Sequence, residues 1–308
     1  MEIQPKTYIR LAVYAAIFVV GFLGNLLTII VICRRRQNMS AYQMLVLNLA
    51  ISDFLFLISV LPLTSYELFV VIGKSEVFCR FIWPMFTIFY LLSIFTITSM
   101  ALQRCRSIVF PHRPKLSRRK AFAWVAAIWF AAFIIVLPLA IVTKSVPPGR
   151  CVEYWPSFRY RQAYTLALFL LQYLIPLVII TIVYARISHF LLHIGDFRRR
   201  NDSFSTEEQS AAEARRIKRR NQAIRTLAAV VILFAICLFP GQIAWLLSDF
   251  GNGGKSQKNA IDALLNFSYV LDNFHACINP VIYCLLSTRY RKEYFACLLY
   301  LFRKSRRN

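Results

Sequence analysis

The feature that most constrains the fold is an apolar stretch between Cys79 and Arg104. Residues 81–103 carry no charged side chain and are rich in Phe, Ile and Leu. An α-helix over 79–104 would rise roughly 37 Å, whereas the hydrocarbon core of a bilayer is ~30 Å thick. The stretch therefore predicts a membrane-crossing helix with a cysteine at one end and an arginine at the other.

Six further apolar runs of this kind follow one another along the chain. Hydrophobic residues make up 58% of the sequence and charged residues 17%, against about a quarter charged in typical soluble domains. Long uncharged runs favour transmembrane helices, and the alternating strands of a membrane barrel are not evident. We predict an all-α membrane protein, a bundle of seven transmembrane helices. The predicted segments are 11–33, 42–70, 79–104, 121–143, 163–192, 223–248 and 262–287.

The net charge of +23 is distributed unevenly along the chain. Lys and Arg concentrate in the connections on one side of the bundle, beginning with 34–36 directly after the first segment. An excess of Lys and Arg marks the cytoplasmic side, which places the N-terminus outside the cell. The basic clusters then suit acidic membrane lipids or protein partners, and nucleic acid is not expected as a partner.

We predict one seven-helix domain over 1–308. A cleaved signal peptide is the alternative for the first segment, but its apolar core would be shorter and its positive charge would precede that core. The N-terminus, 1–10, is expected outside the cell, and a polar third cytoplasmic loop is expected over 193–222. Residues 289–308 predict a C-terminal helix and tail at the membrane interface, because apolar and basic residues occupy opposite helical faces there.

Polar side chains at membrane depth point to a cation site. Asp53 lies in the middle of the second segment, where a carboxylate is costly unless it serves a function, and a structural hydrogen-bonded acid is the alternative. Asn25, Ser93, His275 and Asn279 are the other polar groups at this depth and could close a small cation site around it, with Asn25, Ser93 and Asn279 as oxygen ligands that suit Na⁺. His275 is disfavoured as a soft-metal ligand, on the interpretation that no Cys or carboxylate lies at helical spacing from it. No other metal or cofactor is expected.

The cysteines divide by location. Most of the eight lie within segments, where they act as small apolar residues. Cys79 and Cys151 are the two at outer positions, where a disulfide can persist. We predict that they form a bond that fixes the outer loop 144–162 to the third segment. Cys297, among aromatic and basic neighbours on the interfacial helix, is a candidate for palmitoylation.

Each of the seven segments carries a short motif, and the motifs occur in a fixed order. They are Gly24-Asn25, Leu49–Asp53, Cys79 with Arg104, Trp129, Pro176 with Tyr184, Phe234 with Cys237 and Pro240, and Asn279-Pro280-Val281-Ile282-Tyr283. With these motifs the chain resembles the rhodopsin-like, class A G-protein-coupled receptors over essentially its whole length. The resemblance implies a plasma-membrane receptor, not an enzyme, that binds an extracellular ligand and couples to heterotrimeric G proteins and to arrestin.

Within that family, residues 151–156 and the Tyr-rich entry into the fifth segment are similar to receptors of the neuropeptide Y and neuropeptide FF groups. An aminergic receptor would need a carboxylate where Phe86 stands, and an opsin would need a lysine in the seventh segment. The resemblance implies that Asp249 pairs with an arginine near the amidated C-terminus of a peptide, a geometry that bidentate bonding favours. A solvated loop acid is the alternative for Asp249.

The resemblance also implies two sets of site residues, although packing is an alternative role for most of the first set. The ligand cleft would be lined by Glu67, Phe86, Tyr90, Gln172, Gln242, Trp245, Asp249 and Tyr269, and covered by Glu153. The activation switch would comprise Gln103, Arg104, Tyr184, Phe234, Leu238, Pro240, Asn279, Pro280 and Tyr283.

The chain departs from the family around Arg104. Gln103 and Cys105 stand where the family usually has an acid and a tyrosine, and Arg220 replaces an acid often found at the inner end of the sixth segment. Leu238 occupies a position that is commonly aromatic. Without those carboxylates Arg104 lacks its usual resting ion pairs, so we expect elevated ligand-free activity.

Two other functions are compatible with the sequence. The first is a small channel or transporter with Asp53 on its path, although the paired broken segments of such proteins are not evident. The second is a class A receptor for a lipid or another small molecule rather than a peptide.

Overall fold

The computed structural model describes residues 5–34, 39–69, 73–114, 116–201, 207–251 and 254–305. Two π-helical turns, Phe78–Ile82 and Leu170–Leu174, continue directly into α3 and α6. The elements are α1 (Pro5–Cys33), α2 (Ala41–Tyr66), α3 (Trp83–Val109), α4 (Arg118–Val142), β1 (Thr143–Val146), β2 (Arg150–Glu153), α5 (Phe158–Phe169), α6 (Ile175–Asn201), α7 (Glu207–Phe250), α8 (Lys255–Leu286) and α9 (Thr288–Ser305).

Within the described part of the chain, six helical spans are long and apolar enough to cross a membrane. The seventh predicted segment corresponds to α8, which is less apolar because its buried face carries polar side chains. Those side chains are Ser268, Asn273, His275 and Asn279. α8 packs against α1, α2 and α7, and the amphipathic α9 packs against α1 and α8. The predicted all-α bundle with a C-terminal helix is confirmed. The six spans are Thr7–Cys33, Ala41–Tyr66, Phe78–Val109, Arg118–Val142, Phe158–Leu191 and Ile224–Phe250.

The third span is the central helix of the bundle. Two thirds (67%) of its most apolar window is buried, against 22% for the fourth and fifth spans. Its core side chains, including Leu91, Leu92, Ile97 and Met100, are fully buried. Helices at the periphery leave Phe and Ile side chains exposed, as expected where lipid replaces water.

The helices extend beyond the predicted apolar segments. α6 continues to Asn201 and α7 begins at Glu207, so the predicted loop 193–222 is helical at both ends. Residues 202–206 lie outside the described part of the chain. The Glu, Ala, Arg and Lys residues of this region have high helix propensity, and extending an existing helix requires no new nucleus. For the same reason, the length of the apolar run underestimated the length of α1, which begins at Pro5.

The outer loop after α4 forms a β-hairpin that the sequence reading did not predict. β1 and β2 pair in antiparallel register, with Ser145 opposite Cys151. Gly149 in the turn has a φ of 103°, which glycine adopts far more readily than other residues. A Cβ at Gly149 would lie 2.3 Å from the Cα of Gly73, so the turn contacts the loop that precedes α3.

Candidate functional site

A disulfide fixes the hairpin over the outer end of α3. Cys79 and Cys151 form the predicted bond, and their Cα atoms are 5.3 Å apart. Cys79 is fully buried, whereas Cys151 lies in β2. The bond therefore holds the outer loop against the helix whose inner end carries Arg104.

Polar contacts add to the attachment of the hairpin. The Glu76 carboxylate accepts from Nε of Arg80 at 2.6 Å and from the backbone N–H of Ser145 at 2.7 Å. The Ser145 hydroxyl donates to the carbonyl of Lys74, and the Lys74 ammonium lies 2.9 Å from Glu67. Glu67 is one of the residues predicted to line the ligand cleft. It forms an ion pair with Lys74, the residue whose carbonyl holds Ser145 of the hairpin.

The hairpin attachment is expected to weaken in acid. The N–H of Ser145 and the Arg80 guanidinium hold the pKa of Glu76 below its ordinary value, about 4.3. Because the pKa of Glu76 is lower in the folded protein than in the unfolded chain, its contacts stabilise the hairpin attachment fully above the unfolded-chain pKa. That stabilisation is lost as the pH falls through the folded-state pKa. We expect the Ser145 amide to exchange slowly with solvent at pH 5–7 and faster in the Glu76→Gln variant, as measured by hydrogen exchange. Equal exchange in the two proteins at pH 6 would contradict the assignment.

Asp249 is buried and already paired within the chain, which overturns the alternative of a solvated loop acid. Its side chain is 1% exposed, and Oδ1 lies 2.8 Å from Nη2 of Arg161 on α5. Oδ2 accepts from the Thr165 hydroxyl at 2.5 Å, and its carbonyl accepts from Gln162 at 2.8 Å. The site that the resemblance assigns to a ligand arginine thus holds an arginine of the receptor itself.

Other predicted cleft residues lie at several depths. Gln242 on α7 donates to Gln172 in the second π turn at 3.3 Å, so the structure brings these two together. Glu153 accepts from the Trp155 indole at 2.7 Å. Phe86 packs partly buried against the core. Two aromatic side chains remain more open: Trp245 is 41% exposed and Tyr269 is 49% exposed.

An aromatic cluster surrounds His275 in the middle of the bundle. The rings of Phe56, Tyr90 and Phe234 have centroids 5.0, 4.9 and 6.0 Å from the imidazole centroid. His275 is 2% exposed, and its Nε2 has no hydrogen-bond partner among the described residues. Two predicted residues, Tyr90 and Phe234, therefore meet at a histidine that the sequence reading did not place in the cleft.

Asp272 is the site residue that the sequence reading missed. It stands three positions before His275, and Nδ1 of His275 contacts its backbone carbonyl. The statement that no carboxylate lies at helical spacing from His275 was therefore wrong. The signal was present, because Asp272 is an acid within the seventh predicted segment. No group of three metal-ligating side chains occurs among the described residues.

The predicted cation site is only partly assembled as expected. The Asp53 carboxylate is fully buried, accepts from Ser93 at 3.0 Å and accepts from the amide of Asn279 at 2.7 Å. Asn25 instead donates to the carbonyls of Gly21 and Ala276. Asp53, Ser93 and Asn279 are in contact, whereas Asn25 serves the packing of α1 on α8.

Motif residues in α1 and α4 are explained by close packing. A Cβ at Gly24 would lie 2.6 Å from the Pro280 ring, so glycine permits the contact between α1 and α8. The Trp129 indole donates to Asn48 at 2.8 Å, and Asn48 donates to Thr96 at 2.7 Å. This chain of hydrogen bonds joins α4, α2 and α3 in the bundle core.

Arg104 has an aromatic partner in place of a carboxylate. Its guanidinium lies over the Tyr42 ring of α2, 3.7 Å from the centroid, and its Nε has no hydrogen-bond partner in the described structure. A cation over an aromatic face at this distance is attractive. The side chains of residues 192–220 are not described, so the position of Arg220, which replaces an acid of the family, lies outside the described residues.

The remaining switch residues line the inner half of the bundle. Tyr184 donates to the carbonyl of Ile224 at 3.5 Å, and buried Tyr283 stacks on Tyr290 with centroids 5.2 Å apart. Leu238 is buried in the core. Phe239 beside it is 51% exposed, so it does not supply the aromatic ring missing at 238. Prolines 240 and 280 lie inside α7 and α8 as predicted.

The inner end of α7 is tied to the junction of α8 and α9. The side-chain amide of Gln222 donates through Nε2 to the backbone carbonyl of Leu286 at 2.6 Å, and the Thr288 hydroxyl donates to the side-chain Oε1 of Gln222 at 3.3 Å. This contact lies on the same helix as the predicted switch residues and was not foreseen from the sequence.

Cys297 is buried rather than presented to the membrane interface. It is 1% exposed and packs with Val31 of α1 and Tyr294. The Tyr294 hydroxyl is 2.7 Å from the Thr28 hydroxyl, which fixes α9 on α1. This burial argues against the predicted palmitoylation, because the thiol would have to leave its packing to react.

Curated proteins with similar sequences are neuropeptide receptors. Neuropeptide FF receptor 1 of Rattus norvegicus is 29% identical over 95% of this chain and 71% of its own length. Galanin receptor type 1 of Homo sapiens is also 29% identical, over 95% of this chain and 82% of its own length. Neuropeptide F receptor of Drosophila melanogaster is 25% identical over 94% of this chain and 62% of its own length.

Residues 24–283 match the family described as 7 transmembrane receptor (rhodopsin family). That match includes the motif residues of all seven segments and sets aside the small channel or transporter. It implies an extracellular ligand, a G-protein partner and a multi-pass location in the plasma membrane, and the expectation that the chain is not an enzyme agrees with it. The chain belongs to the rhodopsin-like family of seven-transmembrane receptors.

Proposed function

We propose that this receptor binds a short amidated peptide on its extracellular side, with the N-terminus outside the cell. The observation that carries the proposal is the likeness to neuropeptide FF and galanin receptors over nearly the whole chain. The β-hairpin fixed to α3 is compatible with a peptide ligand, because it provides a backbone surface above the cleft. A ligand arginine at Asp249 would have to displace Arg161 from the carboxylate.

Ligand binding on the outer side is proposed to favour engagement of a heterotrimeric G protein on the inner side. A ligand shifts a conformational equilibrium only by its difference in affinity for the two states. The groups proposed to rearrange are Arg104 over Tyr42, Tyr184 at Ile224 and Tyr283 beside Tyr290. Arrestin and acidic membrane lipids are proposed as further partners of the basic cytoplasmic side.

The test is a receptor-activation screen against amidated neuropeptides, including neuropeptide FF, galanin and neuropeptide F. We expect at least one peptide to raise second-messenger output in cells that express the chain but not in mock-transfected cells. Asp249→Ala is the paired variant, and its response to the active peptide reports whether Asp249 contributes to recognition. A response to lipids or small amines, and to none of the peptides, would favour the alternative small-molecule ligand.

Na⁺ is proposed as an allosteric ion at Asp53. The Asp53 carboxylate and the Ser93 hydroxyl present adjacent oxygens in a sealed position, and oxygen ligands suit a hard cation. Asn279 turns its N–H groups to Asp53, so it would have to rotate to offer its oxygen. We expect NaCl to raise the melting temperature of the purified receptor more than KCl does. Asp53→Asn should remove the difference, and a sodium-specific rise that survives this change would contradict the site.

Elevated ligand-free activity is expected from the sequence around Arg104. Gln103→Glu would restore the acid that the family usually has beside this arginine, so we expect lower basal second-messenger output at equal surface expression. Unchanged output would refute the hypothesis. Tyr42→Leu removes the ring that Arg104 contacts, and Tyr42→Phe, which keeps it, is the matched control.

The Gln222 contact is expected to hold the inner end of α7 in the resting position. Gln222→Ala removes both hydrogen bonds to the junction of α8 and α9. One hydrogen bond contributes about 1 kcal/mol, so we expect basal activity to rise by up to about fivefold. Thr288→Val, which removes only the longer contact, should cause a smaller rise. A decrease for Gln222→Ala at equal expression would exclude the restraint.

A further inference from the structure

We infer that Asp272 on α8 is the counter-ion for a cationic group, an ammonium or a guanidinium, of the extracellular ligand. The inference rests on the proposed function because it assumes a ligand that enters from the outer side. It differs from the assignment to Asp249, which has a partner within the chain. Its basis is the location of Asp272, the acids that are already paired and the unsatisfied polar atoms beside it.

Asp272 faces the interior of the bundle. A Cβ at Gly241 of α7 would lie 3.5 Å from Oδ2 of Asp272. The carboxylate also interacts electrostatically with Tyr14 of α1 and Tyr90 of α3. The carboxylate therefore lies at the contact between α8 and α7, within electrostatic reach of side chains on α1 and α3. Unlike Asp53 and Asp249, which are sealed, Asp272 remains partly exposed.

Three acids nearer the outer surface are already matched by cations. Glu67 has Lys74 at 2.9 Å, Glu76 has Arg80 at 2.6 Å, and Asp249 has Arg161 at 2.8 Å. Glu153 of the hairpin accepts from the Trp155 indole. No ion pair joins Asp272 to a Lys or Arg within the described ranges, so its carboxylate lies deep in the bundle without a cation of the protein beside it. An ionisable side chain kept inside a membrane bundle at such a cost is by default functional.

The hydrogen-bonding partners of the carboxylate are few. The Ser268 hydroxyl serves Asp272, but it also lies 3.0 Å from the carbonyl of Leu265, so its single proton has two acceptors. On the same turn of α8, Oδ1 of Asn273 and Nε2 of His275 are buried without partners. Both side chains are more than nine-tenths buried. At this depth, therefore, some buried hydrogen-bonding atoms have no partner among the described residues.

The surroundings suit an organic cation. Gly241 lets α7 pack closely against the carboxylate, since an added Cβ would lie 3.3 Å from Cβ of Ser268 and 3.5 Å from Oδ2 of Asp272, and Gln242 next to it presents an amide that pairs with Gln172. The Tyr90 and Tyr269 side chains are near enough to Asp272 to interact with it electrostatically, and aromatic rings attract ammonium and guanidinium groups. Tyr269, one turn outward from Asp272, is half exposed.

The depth of Asp272 limits how a ligand reaches it. Eight residues of α7 separate Gly241 from Asp249, which corresponds to about 12 Å along the helix axis. A guanidinium at Asp272 would therefore belong to an extended side chain or terminus inserted below the hairpin. A small amine could occupy the same position entirely within the bundle. Both kinds of ligand would present a cation to Asp272, and the experiment distinguishes between them.

The experiment measures melting temperatures of the purified full-length receptor in lipid nanodiscs. N-acetylargininamide represents the guanidinium of a peptide, and phenethylamine represents a small amine. N-acetylcitrullinamide and phenethyl alcohol are their neutral counterparts. At about ten times its dissociation constant, a binding cation should raise the melting temperature by about 3 °C. We expect this rise for at least one cation and for neither neutral compound.

The variants decide which carboxylate is responsible. The rise should be lost in Asp272→Asn and retained in Asp272→Glu and in Asp249→Asn. A rise that persists in Asp272→Asn, or no rise for either cation in the wild-type protein, would overturn the inference. Should Asp272→Asn not fold, Gly241→Ala places a methyl group 3.5 Å from Oδ2 and should diminish the rise.

The result can be separated from the proposed function. The melting experiment needs neither a peptide agonist nor a G protein, whereas the activation screen needs both. A receptor that responds to a peptide but shows no cation effect would keep the proposed function and lose this inference. A cation effect without a peptide response would keep Asp272 as a cation site and favour the small-molecule ligand.

Discussion

Replacing Cys151 with Ser is expected to lower the free energy of unfolding by about 2–4 kcal/mol. The bond to Cys79 spans a sequence separation of 72 residues. Closing a loop of that length contributes about 4 kcal/mol in the chain-entropy model. The lower figure allows for helices that persist in the denatured receptor and already restrict the chain. Denaturant unfolding of the detergent-solubilised receptor under non-reducing conditions measures the difference.

Three further variants make that prediction specific. Cys79→Ser should cause the same loss, and the double variant should lose no more than either single variant, because all three remove the same bond. Cys33→Ser alters an exposed free thiol and should change stability by less than about 0.5 kcal/mol. Additive losses for Cys79→Ser and Cys151→Ser would mean that the cysteines contribute separately rather than as a disulfide.

The fold could be predicted from the sequence because a bilayer leaves the backbone few choices. Within hydrocarbon every N–H and C=O group must be paired inside the segment, so a long apolar run predicts a helix. The ends of the helices were less predictable, because α6 and α7 continue into water where apolar length gives no signal. The hairpin was missed because its strands are only four residues long.

The contact of Asp53 with Asn279 could be anticipated, although it joins α2 and α8, because both are polar residues at mid-membrane depth. The misses required knowledge of which helices pack together. Arg161 reaches Asp249 only because α5 lies against α7, and Tyr42 meets Arg104 only because α2 lies against α3. Neither pairing has a spacing in the sequence that would reveal it. Asp272 differed, because an acid in an apolar segment was visible without a structure.

Arg161→Ala is expected to destabilise the receptor more than Asp249→Ala does. Removing Arg161 leaves a carboxylate with a 1% exposed side chain and only the Thr165 hydroxyl as a partner. Removing Asp249 leaves a guanidinium that is already 34% exposed and can turn toward water. We expect about 2–3 kcal/mol for Arg161→Ala and about 1–2 kcal/mol for Asp249→Ala. The same unfolding measurement gives both values.

The double variant distinguishes an internal ion pair from two independent side chains. Once the carboxylate is gone, the arginine has nothing buried to neutralise, so the double variant should resemble Asp249→Ala alone. Arg159→Ala, an exposed arginine at the start of the same helix, is the matched control and should be nearly neutral. Strict additivity would mean that the 2.8 Å contact contributes no coupling. Asp249 would then be free to receive an arginine of the ligand, and the case for Asp272 over Asp249 as the counter-ion would be weaker.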